Sequence, residues 1–268
     1  FAGKTSIQDG LFEYTFMVPK DIRYNYGNGR IVYYACDEEA REEGVGHFED
    51  FIIGGSSSVE IIDTLGPEIN LYLNNPAFVD GSQTYEYPHF YANIYDENGI
   101  NTVGTGIGHD LLLIVDEDPK MTYVLNDYFI AQNNSYQQGL VSYKMPEMEE
   151  GQHSLTFRAW DLINNSNTEM LNFQVVKGLD PNIYQVVTYP NPVASTETLN
   201  IRIEFDQPDE VIQTTIYLYD LSGRLVKEHQ QKGTTGIQWN LSEMNVQPGI
   251  YVYNVKIKSS TSNYVSKA

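Results

Sequence analysis

Leu199, Ile201, Ile203 and Phe205 alternate with Asn200, Arg202 and Glu204. An apolar residue at every second position puts one set of side chains on one face of a strand and the polar set on the other. This period of two recurs along the chain and constrains its fold more than any other feature. Phe12, Tyr14, Phe16 and Val18 repeat it, as do Leu155, Phe157 and Ala159, then Leu171, Phe173 and Val175. Ile250 to Ile257 is rich in β-branched and aromatic residues, which suit a pleated surface. Helical periodicity is almost absent. Its best candidate is Asp37 to Glu43, about two turns ending at Gly44. The pattern predicts an all-β chain of tandem, immunoglobulin-like β-sandwich modules, punctuated by Gly, Asn, Asp and Pro turns.

A chain of 268 residues has room for two or three small modules. Gly66-Pro67 breaks the run that ends at Leu65, because proline removes a ladder donor. Lys177 to Asn182, with Gly178 and Asp180-Pro181, marks a second division. The expected modules are a β-rich segment at 1–65, completing a sandwich begun upstream, an immunoglobulin-like sandwich at 66–177, and a final module at 183–268. Charge follows the same division. Residues 1–65 carry 12 acids and 5 bases, 66–177 carry 15 and 4, and 178–268 carry 9 and 7. The near-neutral last module repels an acidic partner surface least and is the better candidate for docking; a solvated surface without a partner explains the same numbers. The whole chain, at a net charge of −20, repels phosphate backbones, which argues against nucleic acid as a partner.

Two hairpins resemble each other. Trp160-Asp161-Leu162-Ile163-Asn164-Asn165 and Tyr219-Asp220-Leu221-Ser222-Gly223-Arg224 each place an aspartate after an aromatic and before small turn residues. Such an aspartate accepts hydrogen bonds from backbone N–H groups two residues on and fixes the turn.

Candidate chemistry is sparse. Cys36 with His47 is the one thiol–imidazole pair close in sequence, but a nucleophile also needs its base oriented by a third group. Cys36 ends an alternating segment and reads as a buried structural thiol. The five histidines show no zinc-ligand spacing. Gly104 to Gly108 precedes the strand-like run Leu111 to Val115 rather than a helix, so it reads as a turn and not as a phosphate cradle. Carboxylates gather at Asp96-Glu97-Asn98, Asp116-Glu117-Asp118 and Asn126-Asp127. Calcium in such a loop is one reading, without an EF-hand pattern to support it, and solvated turns are the other. The expectation is no cofactor and no metal. Paired carboxylates for glycoside hydrolysis would need a cleft. The dense tyrosines of the first half read mainly as strand packing, with sugar stacking as the alternative.

The last module carries the most specific pattern. Tyr189-Pro190-Asn191-Pro192 opens it as an extended lead-in. The strand from Leu199, the turn Asp220 to Arg224 with Gly223, then Trp239-Asn240-Leu241 and Pro248-Gly249-Ile250-Tyr251 follow in order. This order resembles the C-terminal sorting domain of type IX secretion cargo, a small Greek-key sandwich of Bacteroidetes. The resemblance implies export to the cell surface, and it makes Tyr189, Pro190, Asn191, Pro192, Asp220, Gly223, Arg224, Gly249 and Tyr251 the sorting-motif positions. Such domains finish with a basic residue and a short apolar strand. Ser266-Lys267-Ala268 departs from that ending, so the last strand is expected to be incomplete.

Upstream, Gly10 to Ile22, Gly29 to Ala35, Asp96 to Asn101, Gly106 to Asp110 and Val124 to Phe129 look like the C-terminal region of the gingipain-like (C25 family) sortases of the same system. That resemblance implies a surface cysteine peptidase whose Cys/His domain lies upstream, so no catalytic residue is expected in this stretch. It also implies a role in positioning that domain, in cis, and in docking to an outer-membrane barrel, PorV-like. The alternative is a surface adhesin or carbohydrate-binding protein exported by the same route. Asp63-Thr64-Leu65 is similar to the short O-glycan acceptor motif of the same bacteria.

Overall fold

The structure, a computed structural model, describes residues 2–20, 26–37, 41–55, 62–103, 108–194, 196–207, 211–233, 236–240, 246–259 and 266–267. It is all-β. The first stretch contains β1 (Gly27–Asn28), β2 (Ile31–Asp37), β3 (Glu42–Phe48) and β4 (Ile52–Ile53). The middle contains β5 (Glu68–Leu73), β6 (Gln83–Thr84), β7 (His89–Tyr95), β8 (Leu112–Val115), β9 (Thr122–Val124), β10 (Phe129–Ala131), β11 (Gln138–Lys144), β12 (Gly151–Trp160) and β13 (Ser166–Val175). The last contains β14 (Ile183–Tyr189), β15 (Thr198–Phe205), β16 (Ile212–Asp220), β17 (Leu225–Gly233), β18 (Gly236–Asn240), β19 (Tyr251–Ser259) and β20 (Ser266–Lys267).

The middle strands form two facing sheets, ordered β10-β11-β7-β5 and β6-β13-β12-β8-β9. Their inner faces supply one core. Leu155, Phe157 and Ala159 from β12 join Leu171, Phe173 and Val175 from β13, and Phe90 packs tilted against Phe157, ring centres 5.4 Å apart, across the sandwich. The alternation read from the sequence is therefore the alternation of burial. The last strands form a second sandwich, β14-β15-β18 against β17-β16-β19-β20. Its core is separate and holds Ile201, Ile203, Phe205, Ile216, Trp239 and Val255. The two modules thus bury two sets of side chains rather than one. At the end of the chain, Ser266 and Lys267 pair with Ile257 and Lys256.

The first stretch departs from expectation. Phe12 to Val18 alternates in sequence, yet residues 12–19 join no ladder among the described residues. The segment instead lies along the middle sandwich. Tyr14 donates its hydroxyl to the Ser135 carbonyl at 3.0 Å, and Thr5 donates to Asn134 Oδ1 at 2.7 Å. The helix expected at Asp37 to Glu43 is not formed by its described residues: Asp37 ends β2, Glu42 to Gly44 begin β3 in register with Ala35 to Asp37, and residues 38–40 lie outside the described residues. Among the described residues β2 and β3 pair only with each other, and Phe12 packs at 5.6 Å against Tyr33 of β2, whose alternate residues Ile31, Tyr33 and Ala35 are half-buried. Cys36 lies near the end of β2 beyond that half-buried set and is exposed, contrary to the reading of a buried thiol.

Gly66 shows why the break at Gly66-Pro67 takes this form. A Cβ there would fall within 2.7 Å of the Asn167 nitrogen and would also overlap the Ser166 backbone. The chain enters β5 against another backbone, where only glycine fits. Asn167 Nδ2 then donates to the Pro67 carbonyl at 3.1 Å.

Candidate sorting-domain surface

The two related turns are built alike. Asp161 Oδ1 accepts from the N–H groups of Ile163 at 3.0 Å and Asn165 at 2.7 Å, while Oδ2 accepts from Asn165 Nδ2 at 2.8 Å. Asp220 Oδ1 accepts from the N–H groups of Ser222 and Arg224, each at 3.0 Å, and Oδ2 accepts from Arg224 Nε at 3.0 Å. Ser222 Oγ also donates to Asp220 Oδ1. Gly223 takes φ +82°, a left-handed conformation that suits glycine. These donors stabilise the charged carboxylate, and hydrogen bonds from Ser222 and Arg224 hold Asp220 below the usual carboxylate range. The sequence fixes both turns through a single residue type, placed to satisfy backbone donors.

The sorting-motif positions fall into two groups. Asp220 is the cross-strand partner of Tyr251 in the β16–β19 ladder, so the Asp220-to-Arg224 turn and Gly249-to-Tyr251 share one end of one sheet. Tyr251 donates its hydroxyl to the Gln247 carbonyl at 2.6 Å and packs against the core. Gly249 has no steric demand for glycine, since a Cβ would meet only ordinary contacts, the nearest at 3.7 Å. Tyr189 lies on the other sheet, at the end of β14, paired with Asn200. Both proline peptide bonds that follow, Tyr189–Pro190 and Asn191–Pro192, are cis. Trp239 is part of the core.

The loop carboxylates are distributed differently from the sequence grouping. Asp116 Oδ2 meets His153 Nδ1 at 2.7 Å, and its Oδ1 accepts from Ser154 N–H at 2.8 Å. Asp118 Oδ1 accepts from Lys120 N–H, and Asp110 accepts from Asn126 Nδ2. Asp96 instead converges with two residues distant in sequence. Oxygen atoms of Asp63, Asp96 and Asp161 lie within 4.8 Å of one another. Asp63 is tied in by Asn98 Nδ2 at 2.6 Å, and its carbonyl accepts from Asn165 Nδ2 at 3.3 Å. Burial, then repulsion from Asp161 and Asp63, pushes Asp96 up to about 6, against a lowering contribution from the Asn98 N–H. Burial also raises Asp161. The carboxylates repel one another, and the hydrogen bonds from Asn98 and Asn165 to Asp63 tie the lead-in segment to the middle sandwich. Thr64, beside Asp63, is exposed. The glycine-rich stretch 104–107 lies outside the described residues.

Sequence reasoning missed one arrangement on β14. The register shifts between Ile183 and Gln185, so Tyr184 and Gln185, consecutive in sequence, are both exposed. A bulge of this kind re-aims a side chain, and no local residue pattern announces it.

A family model for the secretion system C-terminal sorting domain matches residues 187–268. No curated protein matches the chain. Among solved structures, the chain is similar to dimeric latent PorU from Porphyromonas gingivalis, at 31% identity over 98% of this chain and 25% of that one, with a TM-score of 0.48. It thus spans a quarter of the length of that relative. The N-terminal Ig1-2 module of the Drosophila receptor protein tyrosine phosphatase DLAR is similar at 10% identity, over 75% of this chain and 96% of that one, with a TM-score of 0.30. The final module therefore belongs to the secretion system C-terminal sorting domains, and it marks the chain as type IX cargo, exported to the cell surface.

Proposed function

We propose that this chain is the non-catalytic C-terminal region of a cell-surface cysteine peptidase or sortase of the type IX secretion system. In this role it positions a catalytic domain that precedes it and docks to a barrel protein of the outer membrane, PorV-like. The observation that carries the reading is the sorting domain at 187–268, joined to segments upstream that resemble the gingipain-like sortases. The physical properties of the chain agree with a docking role. Its two sandwiches offer sheet edges and loops, which bind partners by strand addition and surface complementarity rather than in an enclosed site. The last module is close to neutral, so an acidic partner surface does not repel it.

Peptide mapping of the native polypeptide upstream of Phe1, with a test for a reactive thiol there, examines the peptidase part. The reading expects a large domain with a Cys/His pair. A native polypeptide without such a domain would remove the sortase and leave an exported binding protein.

A further inference from the structure

The outer face of β14-β15-β18 carries a grid of side chains fixed by strand register. Tyr189 stands opposite Asn200, Val187 opposite Arg202, and Gln185 opposite Glu204. Asn200 in turn stands opposite Gln238 on β18. Ile201, Ile203 and Phe205 point the other way into the core, so Asn200, Arg202 and Glu204 face outward. The bulge at Ile183/Gln185 adds Tyr184 to the exposed residues. Pro76 and Ala77 of the middle module also line the resulting open groove, whose volume is about 990 Å³.

The chemistry of the groove is specific. Tyr184 and Tyr189 bracket it and are 41% and 51% exposed, so each ring has a face open to a ligand. They are five steps apart along the strand, a span of about 16 Å at ~3.3 Å per residue. Between them, Arg202 Nη2 meets Glu204 Oε1 at 2.9 Å. The pair cancels its own charge, so the groove has no excess charge to attract an anion or a cation. Gln185 and Gln238 hold their backbones in the ladders and are exposed on the groove, so their side-chain amides are open to a ligand. Asn200 directs its Nδ2 to the Tyr189 carbonyl at 3.2 Å, which leaves Oδ1 to accept. Open aromatic faces suit the apolar faces of pyranose rings, and planar amides suit pairs of hydroxyl groups. An extended peptide would bind a sheet by adding a strand at an edge. This groove lies across a face, where β15 already pairs on both sides.

We infer that this groove binds an uncharged oligosaccharide, with Tyr184 and Tyr189 as stacking platforms and Gln185, Asn200 and Gln238 as hydroxyl partners. This site is separate from the docking role proposed above, and neither depends on the other.

The test is calorimetric titration of the whole 268-residue chain with cellohexaose, mannohexaose, maltohexaose and chitohexaose. Saturable binding of at least one is expected, unchanged by added salt. Tyr184→Ala and Tyr189→Ala should each weaken it roughly tenfold, while Tyr→Phe at either position retains it. Thermal melts of the alanine variants serve as the folding control. Saturation by none of the probes overturns the inference, as does equal affinity in the alanine variants. It is also overturned if the barrel partner binds across Tyr184 and Tyr189 and no sugar does, for the face would then be a protein-docking surface.

Discussion

Truncating Ile203 to alanine should unfold the last sandwich at a lower temperature and leave the middle one unchanged. Ile203 is 2% exposed and sits in the second core with Ile216, Trp239 and Val255. The change removes three carbons, about 2.4 kcal/mol at ~0.8 kcal/mol each. The cavity left behind adds to this, for a total of about 3 kcal/mol. In a unit of this size, 1 kcal/mol moves the midpoint by about 4–8 °C, so the expected fall is about 12–24 °C. The chain has two tryptophans, one per sandwich: Trp160 on β12 and Trp239 on β18. In a Trp160→Phe background the fluorescence of Trp239 reports the last sandwich alone. Hydrogen exchange measured by mass spectrometry follows β7, β12 and β13 in the same samples. The expected result is an early Trp239 transition with unchanged protection in the middle strands. Equal loss in both sandwiches would refute the claim of two independent cores.

Three further outcomes follow from single contacts. Gly66→Ala must displace the Ser166–Asn167 backbone and should cost about 1–3 kcal/mol, read as a lower melting temperature of the middle module. Asp96 is raised from 3.8 to about 6, so the folded state holds its proton more tightly than the unfolded chain. Its contribution to stability is complete below pH 3.8 and lost as pH rises through about 6; Asp96→Asn should flatten that slope and melt higher than the parent at pH 7.5. Asp220 is lowered, so its contribution is present above the ordinary carboxylate value and lost as pH falls through the lowered one. Asp220→Ala should speed amide exchange at Ser222 and Arg224, whereas Asp220→Asn should preserve those bonds and lose only the ion pair to Arg224.

The sequence revealed strands wherever one face is buried. Leu155 to Ala159, Leu171 to Val175 and Leu199 to Phe205 alternate because the sandwiches bury alternate residues. The same pattern misled at Phe12 to Val18, where Tyr14 bonds to Ser135 of the middle module, Phe12, Phe16 and Val18 stay exposed, and the backbone of residues 12–19 joins no ladder among the described residues. Asp37, Glu42 and Glu43 belong to a run of helix formers, but at these positions the pairing of β2 with β3 overrides that preference. The Asp161 and Asp220 turns were legible because their donors are two and four residues away. The Asp63, Asp96 and Asp161 cluster was not, since chain folding alone brings together residues 33 and 65 positions apart. The groove on β14-β15-β18 depends on register and on a bulge, and neither is written in any short motif.

The central claim, docking through the last module, is tested most directly by equilibrium binding to the purified outer-membrane barrel partner in detergent micelles. The whole chain and a form lacking residues 183–268 would be compared. The account predicts saturable binding by the whole chain and none by the shortened form. Undiminished affinity after the deletion would contradict it.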